Sequence, residues 1–245
     1  MEMENLSLNM QRYFVTGSLE NILFSEKDVF HIQKVMRCRI HDHIEVVLDE
    51  KAYLATIDSV SPLKVHINEP ILKEVELKDD LVLFFPLTKS DKAELVIQKA
   101  SEIGARRIVF YRSNRCVIKL DQDSFKKKLE RYLAIAKEAS EQCHRTRIID
   151  IEGVINLKDI DKYMQERNYV AYELEAGETT SLYEELSKDN KSTSIIVGPE
   201  GGFEKEEVGL LTKKGFKSVS LGKRILRCET AAIYSLSVIS FLMEK

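Results

Sequence analysis

The sequence predicts an α/β protein in two parts. A small barrel-like β domain occupies residues 1–75, and residues 76–245 fold as a mostly parallel sheet with helices on both faces. Three observations lead to this. Residues 12–70 hold short alternating or β-branched runs separated by polar breaks, which is the signature of strands. From residue 81 onward, strand-like and helix-like segments alternate, as they do in parallel βα units. The length of 245 residues leaves room for one large core or two modest ones.

In chain order, the first strands are RYFVT (12–16), DHIEVVLDE (42–50), KAYLATIDSV (51–60) and LKVHINEP (63–70). Between the first two lies a helical insert, SEKDVFHIQKVMRC (25–38). Ser25 is its N-cap, and Val29, Ile32, Val35 and Met36 form its apolar stripe. A linker around residues 69–80 leads to the buried-type strand LVLFFPL (81–87), and then to a helix that stops at Gly104. The strand RRIVFYRS (106–113) and a long amphipathic helix (124–143) follow. Further strands are expected at 169–174, 193–198 and 217–222, with helices at 204–215 and 229–242.

Composition narrows the function. Hydrophobic residues make up 44% and charged residues 31%, as in a soluble globular chain, and no apolar run is long enough to span a membrane. The acidic, polar N-terminus does not read as a secretory signal. The cysteines at 38, 116, 143 and 228 are scattered without C-x-x-C pairs, so neither a zinc site nor a disulfide framework is expected, and a reducing cytoplasm is. His41 and His43 lack partners at metal spacing, and no metal is expected. The net charge of −3 hides a segregation: residues 1–75 carry 8 Lys/Arg against 12 Asp/Glu, and residues 89–147 carry 15 against 8. A basic stretch in an acidic protein suits either a polyanion site or a solvated helix face.

In open parallel sheets, ligands bind beyond the carboxyl ends of the strands. Two loops stand there: Gly198-Pro199-Glu200-Gly201-Gly202, and residues 221–230, LGKRILRCET. Neither carries the Gly-Lys-Ser/Thr of a phosphate loop or the dinucleotide G-x-G-x-x-G pattern. A carboxylate at Glu200 opposes a pyrophosphate and suits a neutral or cationic ligand approached through bare main chain. S-adenosylmethionine, an adenosine bearing a sulfonium, meets that description. Ile225 and Leu226 can sandwich an adenine, and Arg224 and Arg227 flank them.

The pair GPEGGFEKEEV (198–208) and LGKRILRCETAA (221–232) closely resembles the RsmE family of 16S ribosomal RNA uracil-N3 methyltransferases, within the SPOUT superfamily. The likeness continues in residues 96–119, in residues 136–148 and in the N-terminal RYFV and HIQKVMR, so it covers nearly the whole chain in order. The resemblance implies a PUA-like RNA-binding β domain (1–75) and a SPOUT methyltransferase domain (76–245) whose C-terminal end is threaded into a trefoil knot. It also implies a homodimer, S-adenosylmethionine as methyl donor, and a uridine of 16S RNA within the 30S subunit as target.

The cofactor-binding residues it implies are Leu174, Gly198, Pro199, Glu200, Gly201, Gly202, Leu221, Gly222, Ile225, Leu226 and Arg227. Arg227 is the first candidate for stabilising charge on the uracil, and Glu229 the second catalytic candidate, as base or orienting group. Arg12, Arg37, Arg112, Asn114, Arg115, Lys119, Gln142, Arg145 and Arg147 are the expected RNA contacts, since arginine both pairs with phosphate and stacks on bases. Ribose methylation of transfer RNA and a non-catalytic ribosome-assembly role are the competing readings.

Overall fold

The computed structural model describes residues 10–116, 118, 122–172, 180–186 and 191–244. The chain divides into two compact units, Met1–Glu76 with Ser140–Arg147, and Leu77–Ala139 with Ile148–Lys245. A linear division at 75/76 therefore misses one piece, since residues 140–147 join the first unit from far along the chain.

In the first unit, β1 (Arg12–Phe14), β4 (His43–Leu48), β5 (Lys51–Val60) and β6 (Leu63–Pro70) form a four-stranded sheet in that order. β1 runs parallel to β4, while the β4–β5 and β5–β6 pairs are antiparallel. β2 (Thr16–Ser18) and β3 (Asn21–Leu23) make a separate ribbon. Alternation along β4 sends Ile44, Val46 and Leu48 into a core with Tyr13, Val15, Ile32, Ala55 and Ile57. The β4–β5 turn holds Asp49 and Glu50 at φ 49° and 61°, the two positive-φ positions of a tight hairpin, without a glycine. The insert is shorter than its apolar spacing suggests. Helix α1 (Glu26–Phe30), capped by the Ser25 side chain, passes into a π-type turn (His31–Val35) and ends before Arg37, which takes φ 55°.

Two arginines expected to contact RNA have a different task here. Arg12 is 3% exposed and pairs with Glu45, itself 1% exposed, at 2.7 Å, while also donating to the carbonyls of His144 and Arg145. Arg145, also 3% exposed, pairs with Glu76 at 2.6 Å, and Glu76 further accepts from the Thr146 and Arg147 backbone N–H groups. Both guanidiniums are spent on fastening residues 140–147 within the first unit, which corrects the expectation for these two positions.

Burial by itself would push the carboxyls of Glu45 and Glu76 up. The His144 hydrogen bond and the Arg12 guanidinium reverse this for Glu45, and the Arg145 guanidinium with the two backbone donors does so for Glu76, so both lie below the ordinary carboxylate range.

The second unit is built on a six-stranded sheet in the order β12 (Lys217–Val219), β10 (Arg167–Ala171), β11 (Thr193–Val197), β7 (Leu81–Pro86), β8 (Arg107–Arg112), β9 (Asp150–Asn156). Every adjacent pair is parallel. Side chains of the central β7 alternate between two cores: Leu81, Leu83 and Phe85 on one face, Val82 and Phe84 on the other. The first core is closed by α2 (Ser90–Ile103), α3 (Gln122–Gln142) and the C-terminal α6 (Cys228–Met243) through Val96, Ile97, Tyr132, Leu236 and Ile239. The second is closed by a 3-10 turn (Leu157–Tyr163) and α5 (Lys205–Lys213) through Ile160, Val208 and Leu211. α2 stops at Gly104, which takes φ 94° at its C-cap. A short α4 (Leu182–Leu186) precedes β11.

Because the folded Glu45 carboxyl lies below its unfolded value near 4.3, its stabilising contribution is complete above that pH and is lost as pH falls through the folded value. Glu45→Gln leaves Arg12 buried without its counter-charge and should cost about 3–5 kcal/mol at neutral pH. Urea unfolding of variant and wild type should show that gap narrowing below about pH 4. An equal gap at both pH values would contradict the pairing.

Candidate functional site

The strand order sets β12, β10 and β11 side by side, so three successive carboxyl ends open onto one cleft of about 570 Å³. β10 supplies Ala171 and Tyr172, β11 leads into residues 198–203, and β12 leads into residues 220–222 and 224–228. Lys92 from α2 and Arg115 from the loop after β8 complete the wall. Of the residues expected to bind cofactor, Gly198, Pro199, Glu200, Gly201, Gly202, Leu221, Gly222, Ile225, Leu226 and Arg227 all line it. Leu174 and the RNA candidate Lys119 lie outside the described residues.

The first loop is held from beneath. Tyr111 donates to the Val197 carbonyl at 2.6 Å, and its ring stacks on Phe203 with 6.3 Å between centroids. The Gly202 N–H closes a turn on the Pro199 carbonyl at 2.8 Å. Gly201 is a glycine for the protein's own packing, since a Cβ there would stand 3.0 Å from the Arg115 Cβ. Arg115 in turn donates to the Gly201 carbonyl at 3.1 Å. Gly222 is different: at φ 110°, a Cβ would meet nothing within 4 Å, so its main chain lies bare beside the cleft. Ile225 is fully exposed and Leu226 half-buried, which leaves an apolar side chain standing open on the cleft wall.

Charge in the cleft is divided. Glu200 is paired with Lys92 at 3.1 Å, and the same ammonium lies 3.3 Å from Glu229. The Cys228 thiol donates to Glu229 Oε2 at 3.2 Å. Burial would push the Glu229 carboxyl up, but its own backbone N–H, the Cys228 thiol and Lys92 together hold it below the ordinary carboxylate range. Burial and the hydrogen bond to Glu229 push the Cys228 thiol up to about 12. On the loop after β12, Arg224 and Arg227 are exposed. Among the described residues, the Arg227 side chain has neither an ion pair nor a hydrogen bond. Arg227 also stands at the N-cap of α6, its carbonyl accepting from the Ala231 N–H at 2.8 Å.

The remaining RNA candidates are spread over both units. Arg37 and Gln142 are exposed in the first. Arg147 there pairs with Glu50 at 2.7 Å, which braces the glycine-free hairpin turn. In the second unit, Asn114 donates through its side chain to Glu204 and through its backbone to Glu207, the two carboxylates of the α5 capping box. Arg112 is half-buried. Sequence reading missed Lys92. The available signal was a lysine in the first turn of a helix, where the helix dipole disfavours a cation.

Among the described residues, no group of three or more His, Cys, Asp and Glu is placed to hold a metal, and no helix is long and apolar enough to cross a membrane. A second, apolar groove lies along α6 between Tyr183, Tyr234 and Phe241, all three exposed.

Comparison with known proteins agrees with this layout. Residues 75–240 match the family model of an RNA methyltransferase domain, and residues 24–69 that of an RNA methyltransferase PUA domain. The chain is similar to ribosomal RNA small subunit methyltransferase E of Bacillus subtilis (35% identity, covering 96% of this chain and 98% of that protein). It is likewise similar to the protein of the same name from Mesomycoplasma hyopneumoniae (33%, covering 93% and 98%). Among solved structures, a putative methyltransferase from Legionella pneumophila in complex with its cofactor SAM superposes with a TM-score of 0.84 at 27% identity, covering 94% of this chain and 97% of that one.

With its thiol raised to about 12, Cys228 should resist alkylation. Iodoacetamide at about pH 8 should modify it roughly a thousandfold more slowly in native than in unfolded protein, as read by peptide mass spectrometry. Equal rates would contradict the Cys228–Glu229 geometry.

Proposed function

The chain belongs to the ribosomal RNA small subunit methyltransferase E family, and from that premise we propose that it methylates N3 of a uridine in 16S ribosomal RNA. The resemblance to the RsmE family implies the uridine numbered 1498, and the methyl donor is S-adenosylmethionine. The observation that carries this reading is the cleft itself: both motif loops, which follow the two strands flanking β10, face one cavity.

The residues present fit the methyl donor. The cleft volume lies within the range of small-molecule sites. The open Ile225 and half-buried Leu226 offer apolar cover to an adenine, and the bare Gly222 main chain offers polar atoms at close range. Glu200 brings a carboxylate to the cleft wall, where Lys92 pairs with it. When bound, the donor supplies an electrophilic methyl carbon on a sulfonium. Transfer to uracil would form the N3–C bond as the C–S bond breaks, with the N3 proton released to water.

The chain's part is to orient the base and to meet the negative charge that spreads over O2 and O4. Arg227, without a protein partner among the described residues and at the cleft, is the group for that charge. Glu229, ionised and already shared between Lys92 and Cys228, is a weak base and serves to hold the start of α6.

Arg115, Arg37, Gln142, Arg112, Asn114 and Arg147 are the RNA contacts retained in this reading, in the setting of the 30S subunit in the cytoplasm. The finer architecture belongs to it as well: a PUA-like barrel in the first unit and a trefoil knot in the second. The knot is supported by the route of the chain, which leaves the sheet edge at β12 and returns in α6 to pack on β7 and β11 at the sheet centre. The exposed apolar groove on α6 supports a homodimer.

Nucleoside mass spectrometry tests the reaction. Purified protein with S-adenosylmethionine and unmethylated 30S subunits should yield 3-methyluridine, and a ribose-methylated product would overturn the reading. Arg227→Ala should form the same product with single-turnover rates about a hundredfold to a thousandfold lower at saturating RNA. A near-normal saturated rate would reduce Arg227 to a binding residue.

A further inference from the structure

The cleft opens at the ends of β12, β10 and β11, yet one of its lining residues, Arg115, stands on the loop after β8, and β7 lies between β8 and β11 in the sheet. The loop that carries Arg115 is fixed at its own base. The Cys116 N–H donates to the Ser113 carbonyl at 3.1 Å, closing a turn, and the Cys116 side chain is buried in the first core. From that base Asn114 and Arg115 reach the chain that follows β11. Asn114 holds Glu204 through its side chain at 2.7 Å and Glu207 through its backbone N–H at 3.0 Å. Arg115 Nη1 donates to the Gly201 carbonyl at 3.1 Å, and its Nε lies 3.5 Å from Glu204.

These contacts are unequal. The ion pair joins side chains that are 51% and 31% exposed, and a pair so open to water contributes little. The contact with Gly201 is closer. A Cβ added there would stand 3.0 Å from the Arg115 Cβ and 3.5 Å from its Cδ, so the arginine stem packs directly on bare main chain. Three of the five residues in the 198–202 loop are glycine, which leaves the free chain much conformational freedom to lose. A loop ordered only by its ligand subtracts that cost from the affinity, and a loop ordered beforehand does not. We infer that Arg115 is a positioning residue for the methyl donor: its hydrogen bond to the Gly201 carbonyl and its packing on Gly201 order the 198–202 loop before the ligand arrives. This duty is separate from the RNA contact given to Arg115 above, and it rests on the cofactor reading.

Two measurements on the full-length protein without RNA test this: calorimetric titration with S-adenosylmethionine, and hydrogen exchange of the 198–203 segment in ligand-free protein. Arg115→Ala should bind the donor about three- to tenfold more weakly, and its 198–203 segment should exchange faster than in wild type. Gly201→Ala presses on the same contact from the other side and should weaken binding by a similar factor. Combined, the two substitutions should cost little more than either alone, because each breaks the one contact. Factors that multiply in the double variant would overturn the assignment, since they would mark two independent contacts with the ligand. Wild-type affinity in Arg115→Ala would overturn it as well. So would weaker binding with unchanged exchange, which would make the arginine a direct contact of the donor. Should the double variant fail to fold, affinity and exchange in Arg115→Ala decide. If wild type does not bind S-adenosylmethionine, the cofactor reading itself falls.

Discussion

The neighbourhood of β12, β10 and β11 is the constraint on which the rest of the second unit depends. Strands 167–171, 193–197 and 217–219 follow one another in sequence, yet the last pairs outside the first, and β11 pairs inward with β7. Parallel pairing points all three carboxyl ends the same way, and each must therefore discharge its loop into the same space. The cleft is a consequence of strand order. The loops that follow the three strands are anchored by backbone pairing in the sheet below, and the Tyr111–Val197 and Phe203 contacts lock the first loop onto that base.

On this frame the electrostatics are arranged locally. Glu200, Lys92 and Glu229 come from a loop and from the first turns of two different helices, and their contact stitches the two motif loops to α2. Arg227, whose side chain has no partner among the described residues, stands at the N-cap of the helix that carries Glu229. In the first unit, buried ion pairs do comparable fastening: Arg12 with Glu45, and Arg145 with Glu76, bring residues 140–147 into the unit formed by the N-terminal strands. Arginines in sequence-similar segments thus divide into two kinds, and burial separates them.

Much of the fold was legible in sequence because the strongest signals are the buried strands. LVLFFPL reads as continuous apolar sequence because both of its faces meet a core, and Gly104 marks a helix end because it takes a left-handed conformation. The edge strand Asp150–Asn156 went unseen, since its DIEGVIN is only partly buried and lacks a clean period. Helix α1 was read too long because apolar spacing carried through Val35 and Met36, whereas both side chains are exposed. At the site, the two glycine-bearing loops were legible from their position after strands. The pairing of Lys92 with Glu200 was not, because it depends on a contact across 108 positions of sequence. The same limit made Arg12 and Arg145 look like free cations.

The central claim is that the cleft at the three strand ends holds the methyl donor, with Ile225 forming part of its apolar wall. Ile225 is fully exposed, so Ile225→Asp should change folding stability by no more than about 0.5 kcal/mol. Isothermal titration with S-adenosylmethionine measures the claim directly. The account predicts saturable binding by wild type and at least about tenfold weaker binding by a folded Ile225→Asp variant. Equal affinity of the two proteins would contradict it.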